Sequence, residues 1–159
     1  MRRKSVCTAG KIFREFVKEA TGQEKPLYKT LEKLAGDGKA SCTGRENRKK
    51  LQIETTFDGT RVHPEQTGSI TNLSTDNFTP AAFVYGTLEG MSRELYQMYQ
   101  TIQNGTGMQI KRMIGSGNGL RKNPVLCEIV EEMFGAKLVL AECEEEAATG
   151  AALSSMQQD

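Results

Sequence analysis

The chain has no tryptophan, one histidine, four prolines and four cysteines in 159 residues. Each shortage removes a kind of chemistry. A lone His63 cannot build a histidine-rich metal centre, and Cys7, Cys42, Cys127 and Cys143 form no CxxC pair, so no standard metal-ligand spacing exists. The cysteines are expected to be reduced thiols, with Cys127 in a core. No apolar run approaches the roughly 18 residues of a membrane span, and the basic start MRRK is not followed by a signal-type apolar segment. A cytoplasmic protein with no membrane partner is expected. Net charge is also nearly absent, with 21 basic side chains against 20 acidic ones, but the distribution is uneven. Residues 1–50 carry 14 of the basic and 6 of the acidic side chains. Those basic residues alternate with apolar positions at helical spacing and have no aromatic stacking set, so they are expected to be a solvated helical face with no nucleic-acid partner.

The length suits one domain. Its organising stretch is Met108 to Leu153. Ile110, Met113 and Ile114 form a short apolar run, followed by a loop with Gly115, Gly117 and Gly119. Asn123 and Pro124 then start a helix, because Asn accepts an orphan backbone N–H and Pro at the first position lacks only an N–H that is not needed. Val125, Leu126, Ile129, Val130 and Met133 give that helix one apolar face, Gly135 stops it, and Lys137 to Ala141 is a second apolar run. A small-residue helix from about Glu145 to Met156 completes a strand, loop, helix, strand, helix unit with parallel strands. Three alternate glycines leave the loop free of side chains, so a ligand can approach main-chain N–H groups at the carboxyl end of a parallel strand. No GK followed by Ser or Thr makes a Walker loop, and Leu120 stands where a dinucleotide fingerprint needs its third glycine. The loop therefore suits a nucleotide without saying which, and suits equally a plain glycine-rich cap between a strand and a helix.

Read in order, Lys4 to Thr8 is expected to be a short strand. A helix follows from Lys11, with Ile12, Phe13, Phe16, Val17 and Ala20 on its inner side and Gly22 at its end. Pro26 opens another helix with Leu27, Leu31 and Leu34 inward, and Gly36 to Lys50 is expected to be an exposed connection. Leu51 to Thr56 alternates as a half-buried strand leading to the turn Phe57 to Arg61, and Gly68 to Leu73 is a further strand. Thr79 and Pro80 cap the longest helix, about Ala81 to Gln103, whose stripe is Val84, Leu88, Met91, Leu95, Met98 and Ile102. Gly86 and Gly90 within it allow close backbone approach, and Asn104 and Gly105 are expected to end it.

Four blocks occur in a telling order: LQIETTFDGTR, GSITNLSTDNFTPAAFVYGTLEGMSREL, IGSGNGLRKNPVLCEIVEEMFG and EEEAATGAAL. Together they resemble the carboxyl-terminal domain of FGGY-family carbohydrate kinases, and the wording GNGLRKNP is most similar to sedoheptulose kinases. The resemblance implies an α/β, ribonuclease-H-like (actin-like ATPase) domain, incomplete at its amino-terminal end, with a mixed sheet and helices on both faces. Residues 1–50 would be a basic helical lead-in and 51–159 the core of that domain. It implies ATP and Mg²⁺ in the complete enzyme, a ketose substrate held by an amino-terminal domain, and pairing with that half.

Residue by residue, the resemblance assigns Gly117, Asn118, Gly119 and Asn123 to an adenosine loop. Glu145, Glu146, Ala147, Gly150, Ala151 and Ala152 match a small-residue helix that packs near the hinge of domain closure. The family's DxGT-type phosphate loop and catalytic Asp have no counterpart here, since Asp37, Asp58, Asp76 and Asp159 do not match that motif, so no catalytic residue is assigned. The chain is expected to be inactive alone. Two other readings are weighed. GSGNG fits a turn that holds S-adenosylmethionine, with Glu142 at the next strand's end, although Met113 replaces the acid expected before the first glycine. The other is a non-enzymatic interaction subunit.

Overall fold

The computed structural model describes residues 3–42, 50–60, 63–142, 148–150 and 154–155, with the backbone alone for 3–9 and 42. Helix α1 spans Arg3–Thr21 and ends where Gly22 takes φ +68° and donates its N–H to the Lys18 carbonyl at 2.7 Å. The strand expected at Lys4 to Thr8 is therefore helix. Val6, Gly10, Phe13 and Val17 recur at helical spacing and outweigh the β-branched local run, and Gly10 is buried where an added Cβ would sit 3.6 Å from Leu31. The inner face is narrower than expected. Phe13 and Val17 are half-buried, whereas Ile12 and Phe16 are 53% and 73% exposed.

Helix α2, Tyr28–Cys42, runs through the Gly36 to Gly38 segment expected to be a loop. The reason lies in its packing. An added Cβ at Gly38 would collide with the Ala81 carbonyl oxygen and lie 2.6 Å from Tyr85 Cβ, so glycine is what lets two helices cross this closely. Ala35, one turn earlier, is 1% exposed.

Strands β1 (Gln52–Glu54) and β2 (Ser69–Thr71) pair antiparallel, Ile53 opposite Ile70. Leu51, Ile53 and Thr55 are buried while Gln52 and Glu54 are exposed, as the alternation requires. The connecting turn bonds to itself. Gly59 has φ +72° and its N–H reaches the Thr56 carbonyl, and Thr60 and His63 exchange bonds of 2.9 Å through the Thr60 N–H and Thr60 Oγ1.

Helix α3, Pro80–Thr106, carries the fold. Thr79 caps it by accepting from Ala82 N–H at 3.1 Å, and Gly107 closes it at φ 69° with a 2.7 Å bond to the Gln103 carbonyl, past the expected stop at Asn104 and Gly105. Its first half is buried between α2 and β1. Gly86 and Gly90 lie directly on the fully buried Ile53, and a Cβ on Gly90 would strike the Ile53 carbonyl oxygen. The second half emerges, leaving Met98 and Ile102 exposed at the end of the predicted stripe. Tyr96 and Tyr99 instead stack with Phe134, at centroid distances of 5.1 and 5.6 Å.

Strand β3 (Met113–Gly115), helix α4 (Asn118–Arg121), helix α5 (Pro124–Phe134) and strand β4 (Leu138–Leu140) follow. β3 and β4 pair parallel, Ile114 opposite Val139. α5 turns Ile129 into the core with Ala35, Val84, Tyr85 and Leu88, and Val130 is buried as well. Lys39 of α2 bridges to Glu128 at 2.9 Å and Glu132 at 2.7 Å on the opposite flank of α5, and these two carboxylates hold its ammonium well above the usual lysine range. The described strands form two separate two-stranded sheets, one antiparallel and one parallel, rather than the expected single mixed sheet. No described strand joins them. One face of the parallel pair is open, with Ile114 63% and Val139 47% exposed.

Candidate functional site

β3 ends in a bend built in two layers. Gly115 is buried at the bottom, where an added Cβ would lie 2.9 Å from Leu120 and 3.1 Å from Leu138, so Leu120 folds under the loop and seals it against β4. Above it, Gly117 takes φ +90° and ψ 155°, a conformation strained for any side chain. Added Cβ atoms at Gly117 and Gly119 meet nothing within 4 Å. The outer layer of the loop is open.

The N–H groups at the start of a helix lack intrahelical partners. Here Leu120 and Arg121 donate theirs to the Gly117 carbonyl at 3.2 and 3.3 Å, and this turn does not use those of Asn118 and Gly119. Asn118 and Gly119 are themselves exposed. Asn123 is occupied otherwise. Its Oδ1 accepts the Leu126 N–H at 3.1 Å and caps α5, with Pro124 in the first helical position as the sequence implies. Thus Gly117, Asn118 and Gly119 form one open loop, while Asn123 supports it from the base of the next helix.

Sequence reasoning missed three fastenings. The Arg121 guanidinium donates from Nη2 to the Ala141 carbonyl at 2.6 Å, and Ala141 N–H donates to the Gly115 carbonyl at 2.8 Å. The Cys127 thiol donates to the Leu120 carbonyl at 3.3 Å; burial, then Glu131 and Glu128, push this thiol up, so it stays a neutral donor. No spacing rule marks such contacts.

Of the residues matched to the hinge helix, Gly150 is helical and exposed, with open space around it. Glu145, Glu146, Ala147, Ala151 and Ala152 lie outside the described residues. Among the described residues no group of three or more His, Cys, Asp or Glu is placed to hold a metal ion. No described helix is long and apolar enough to cross a membrane.

A glycine bend past the carboxyl end of a parallel strand, sealed beneath and open above, lies where open α/β sheets commonly take ligands. Residues 13–157 match the FGGY family of carbohydrate kinases, C-terminal domain, and the chain belongs to that family. The fold agrees. It is similar to xylulose kinase from Bifidobacterium adolescentis (TM-score 0.63, 21% identity, 87% of this chain and 26% of that one) and xylulose kinase from Rhodospirillum rubrum (0.65, 18%, 86% and 25%). Plasmodium falciparum glycerol kinase with ADP is also similar (0.65, 18%, 91% and 27%). These kinases share the actin-like, ribonuclease-H-like ATPase fold. The chain spans about a quarter of the length of each. No curated protein matches. The family match takes in GSGNG and leaves the methyltransferase reading without support.

Proposed function

We propose that this chain forms the adenine-nucleotide side of an ATP-dependent carbohydrate kinase acting on a ketose. The observation that carries the reading is the pair of open glycine positions, Gly117 and Gly119, on a loop whose underside is closed by Leu120. A flat base or ribose can rest on main chain there, where any side chain would intrude. Asn118 and Gly119 N–H groups donate to the ligand, and Asn123 holds the start of α5 beneath it. Phosphoryl transfer is mostly positioning and stabilisation of charge on the transferring group. The residues at this loop supply the first of these, and none of them is assigned as the base that takes the sugar's proton. Sugar binding, Mg²⁺ and the base go with the amino-terminal half, so the 159-residue chain alone turns nothing over.

What supports sedoheptulose among ketoses is the wording GNGLRKNP. What supports pairing with an amino-terminal half is the open Ile114 and Val139 face, since parallel strands are ordinarily covered on both sides. In the pair, the segment holding Glu145, Glu146, Ala147, Gly150 and Ala151 packs at the closing hinge. A cytoplasmic setting, where ATP is supplied, goes with this reading.

The test is calorimetric titration of ADP into the chain and into Gly119→Leu. Among the described residues nothing lies within 4 Å of a Cβ at this exposed position, so the variant should unfold at the same urea concentration as wild type or slightly above it. Its ADP affinity should fall at least about tenfold, because the side chain fills the space a ligand needs. Equal affinity in the two proteins, or no binding by wild type at about 1 mM ADP, sinks the reading. A coupled ADP-release assay with ketoses should show no turnover by the chain alone.

A further inference from the structure

We propose that Arg121 is a positioning residue that clasps the nucleotide loop to the end of β4 and so sets the height of its outward N–H groups. The proposal rests on the nucleotide reading above. Four residues of helix cannot hold themselves, and the Gly117 cap offers α4 no side-chain bond. The loop must therefore be fixed from outside. Beneath it the fixing is apolar, through Leu120 against Gly115 and Leu138. At its far end it is polar and charge-assisted, through the 2.6 Å bond from Arg121 Nη2 to the Ala141 carbonyl.

Ala141 is a fixed anchor, because its N–H is already spent on the Gly115 carbonyl. The chain of bonds closes on itself: Gly115 to Ala141, Ala141 to the Arg121 side chain, and Arg121 N–H back to the Gly117 carbonyl at 3.3 Å. Any rotation of α4 that turned Asn118 and Gly119 away from a ligand would stretch the guanidinium bond first. The half-buried Arg121 is accordingly not a ligand contact but the tie that keeps the Gly117 bend in place.

The test compares wild type, Arg121→Met and Arg121→Lys, all in the 159-residue chain, by residue-resolved amide hydrogen exchange and by ADP calorimetry. Arg121→Met is expected to raise exchange at Leu120 to Asn123 about tenfold and weaken ADP about tenfold, the loss of one charge-assisted bond. Exchange in α3 should not change, and Arg121→Lys should restore most of both effects by keeping a charged donor. Unchanged exchange at Leu120 to Asn123 in the methionine variant overturns the clasp. So does acceleration spread equally into α3, which would mean a general loss of stability. Should Arg121→Met fail to fold, Arg121→Gln, which loses the charge and the reach to the Ala141 carbonyl, decides in its place: faster exchange confined to Leu120 to Asn123 supports the clasp, and an unchanged or global pattern overturns it. If wild type binds no ADP, the nucleotide reading fails, while the exchange comparison still tells whether Arg121 holds the loop.

Discussion

Replacing Gly90 with alanine sets two effects of opposite sign against each other. Alanine favours the helical state by about 1 kcal/mol over glycine, and on propensity alone the variant would be more stable. The new methyl group, however, would strike the Ile53 carbonyl oxygen and lie 3.1 Å from that carbonyl carbon and 3.2 Å from Thr55 Cγ2. The obstacle is main chain at the fully buried Ile53 of a paired strand, so it cannot rotate aside; α3 must lift from β1. Overpacking costs about 1–3 kcal/mol when side chains can adjust, and main chain puts this case at the upper end. The net is a loss of about 2 kcal/mol, or about 4–8 °C in Tm for a chain of this size.

Gly86→Ala is the matched control, because its methyl group would press only on the Ile53 side chain, 3.3 Å away at Cδ1 and 3.4 Å at Cγ1, with the nearest main-chain atom, the Leu51 carbonyl oxygen, at an ordinary 3.6 Å. Its stability should stay within about 0.5 kcal/mol of wild type, since the propensity gain offsets the tight contact. Gly105→Ala meets nothing within 4 Å and should gain up to about 1 kcal/mol. Urea unfolding of the three variants checks the order. A Gly90→Ala protein as stable as Gly86→Ala would refute the claim that close approach of α3 to β1 requires a glycine.

Three further outcomes are expected. Lys39→Met should cost about 1 kcal/mol at low ionic strength and less in 0.5 M salt (about a 4 Å Debye length), since its carboxylate partners are solvent-exposed. Because the folded state raises the Lys39 pKa, that margin over the variant should be full below about pH 10 and shrink as pH climbs beyond the unfolded value of about 10.4; urea titrations at pH 7, 9.5 and 11 measure it. Lys50→Met leaves the part-buried Glu89 only its longer 3.6 Å pair with Arg93 and should cost about 2 kcal/mol, and the double variant Lys50→Met, Glu89→Leu should recover much of that by equilibrium unfolding. Asn123→Ala removes the α5 cap and should cost about 1 kcal/mol, visible as a lower urea midpoint.

What was legible in the sequence was whatever short-range rules govern. The caps at Thr79 and Asn123, the alternation of Leu51, Ile53 and Thr55, and the parallel pairing implied by strand, loop, helix and strand all follow from local backbone chemistry. The loop at Gly117 and Gly119 is legible for the same reason, as positive φ and absent side chains belong to glycine itself. Where the reading went astray, packing decided. Gly36 and Gly38 look like loop residues, yet Gly38 is helical because α3 comes within reach of its Cα; the partner lies more than 40 residues away and leaves no local mark. The short strand at Lys4 to Thr8 was misjudged because five residues fit either period, and only the longer repeat through Val17 discriminates. Arg121 was invisible as a fastening because its acceptor is a carbonyl, which every residue possesses.

The separateness of the two strand pairs sets how a disturbance can travel. Among the described residues no ladder of amide bonds joins them, so a shift beside Thr55 reaches the bend at Gly117 by pushing on α3 and then α5, through tightly fitted contacts such as Ile53 with Gly90 and the core that Val84 and Ile129 share. Transmission of that sort behaves like a gear train rather than a rod: it is faithful while the teeth mesh and falls silent once one tooth is filed down. Trimming Ile53 or Ile129 should therefore mute communication between the two halves even where both strand pairs survive.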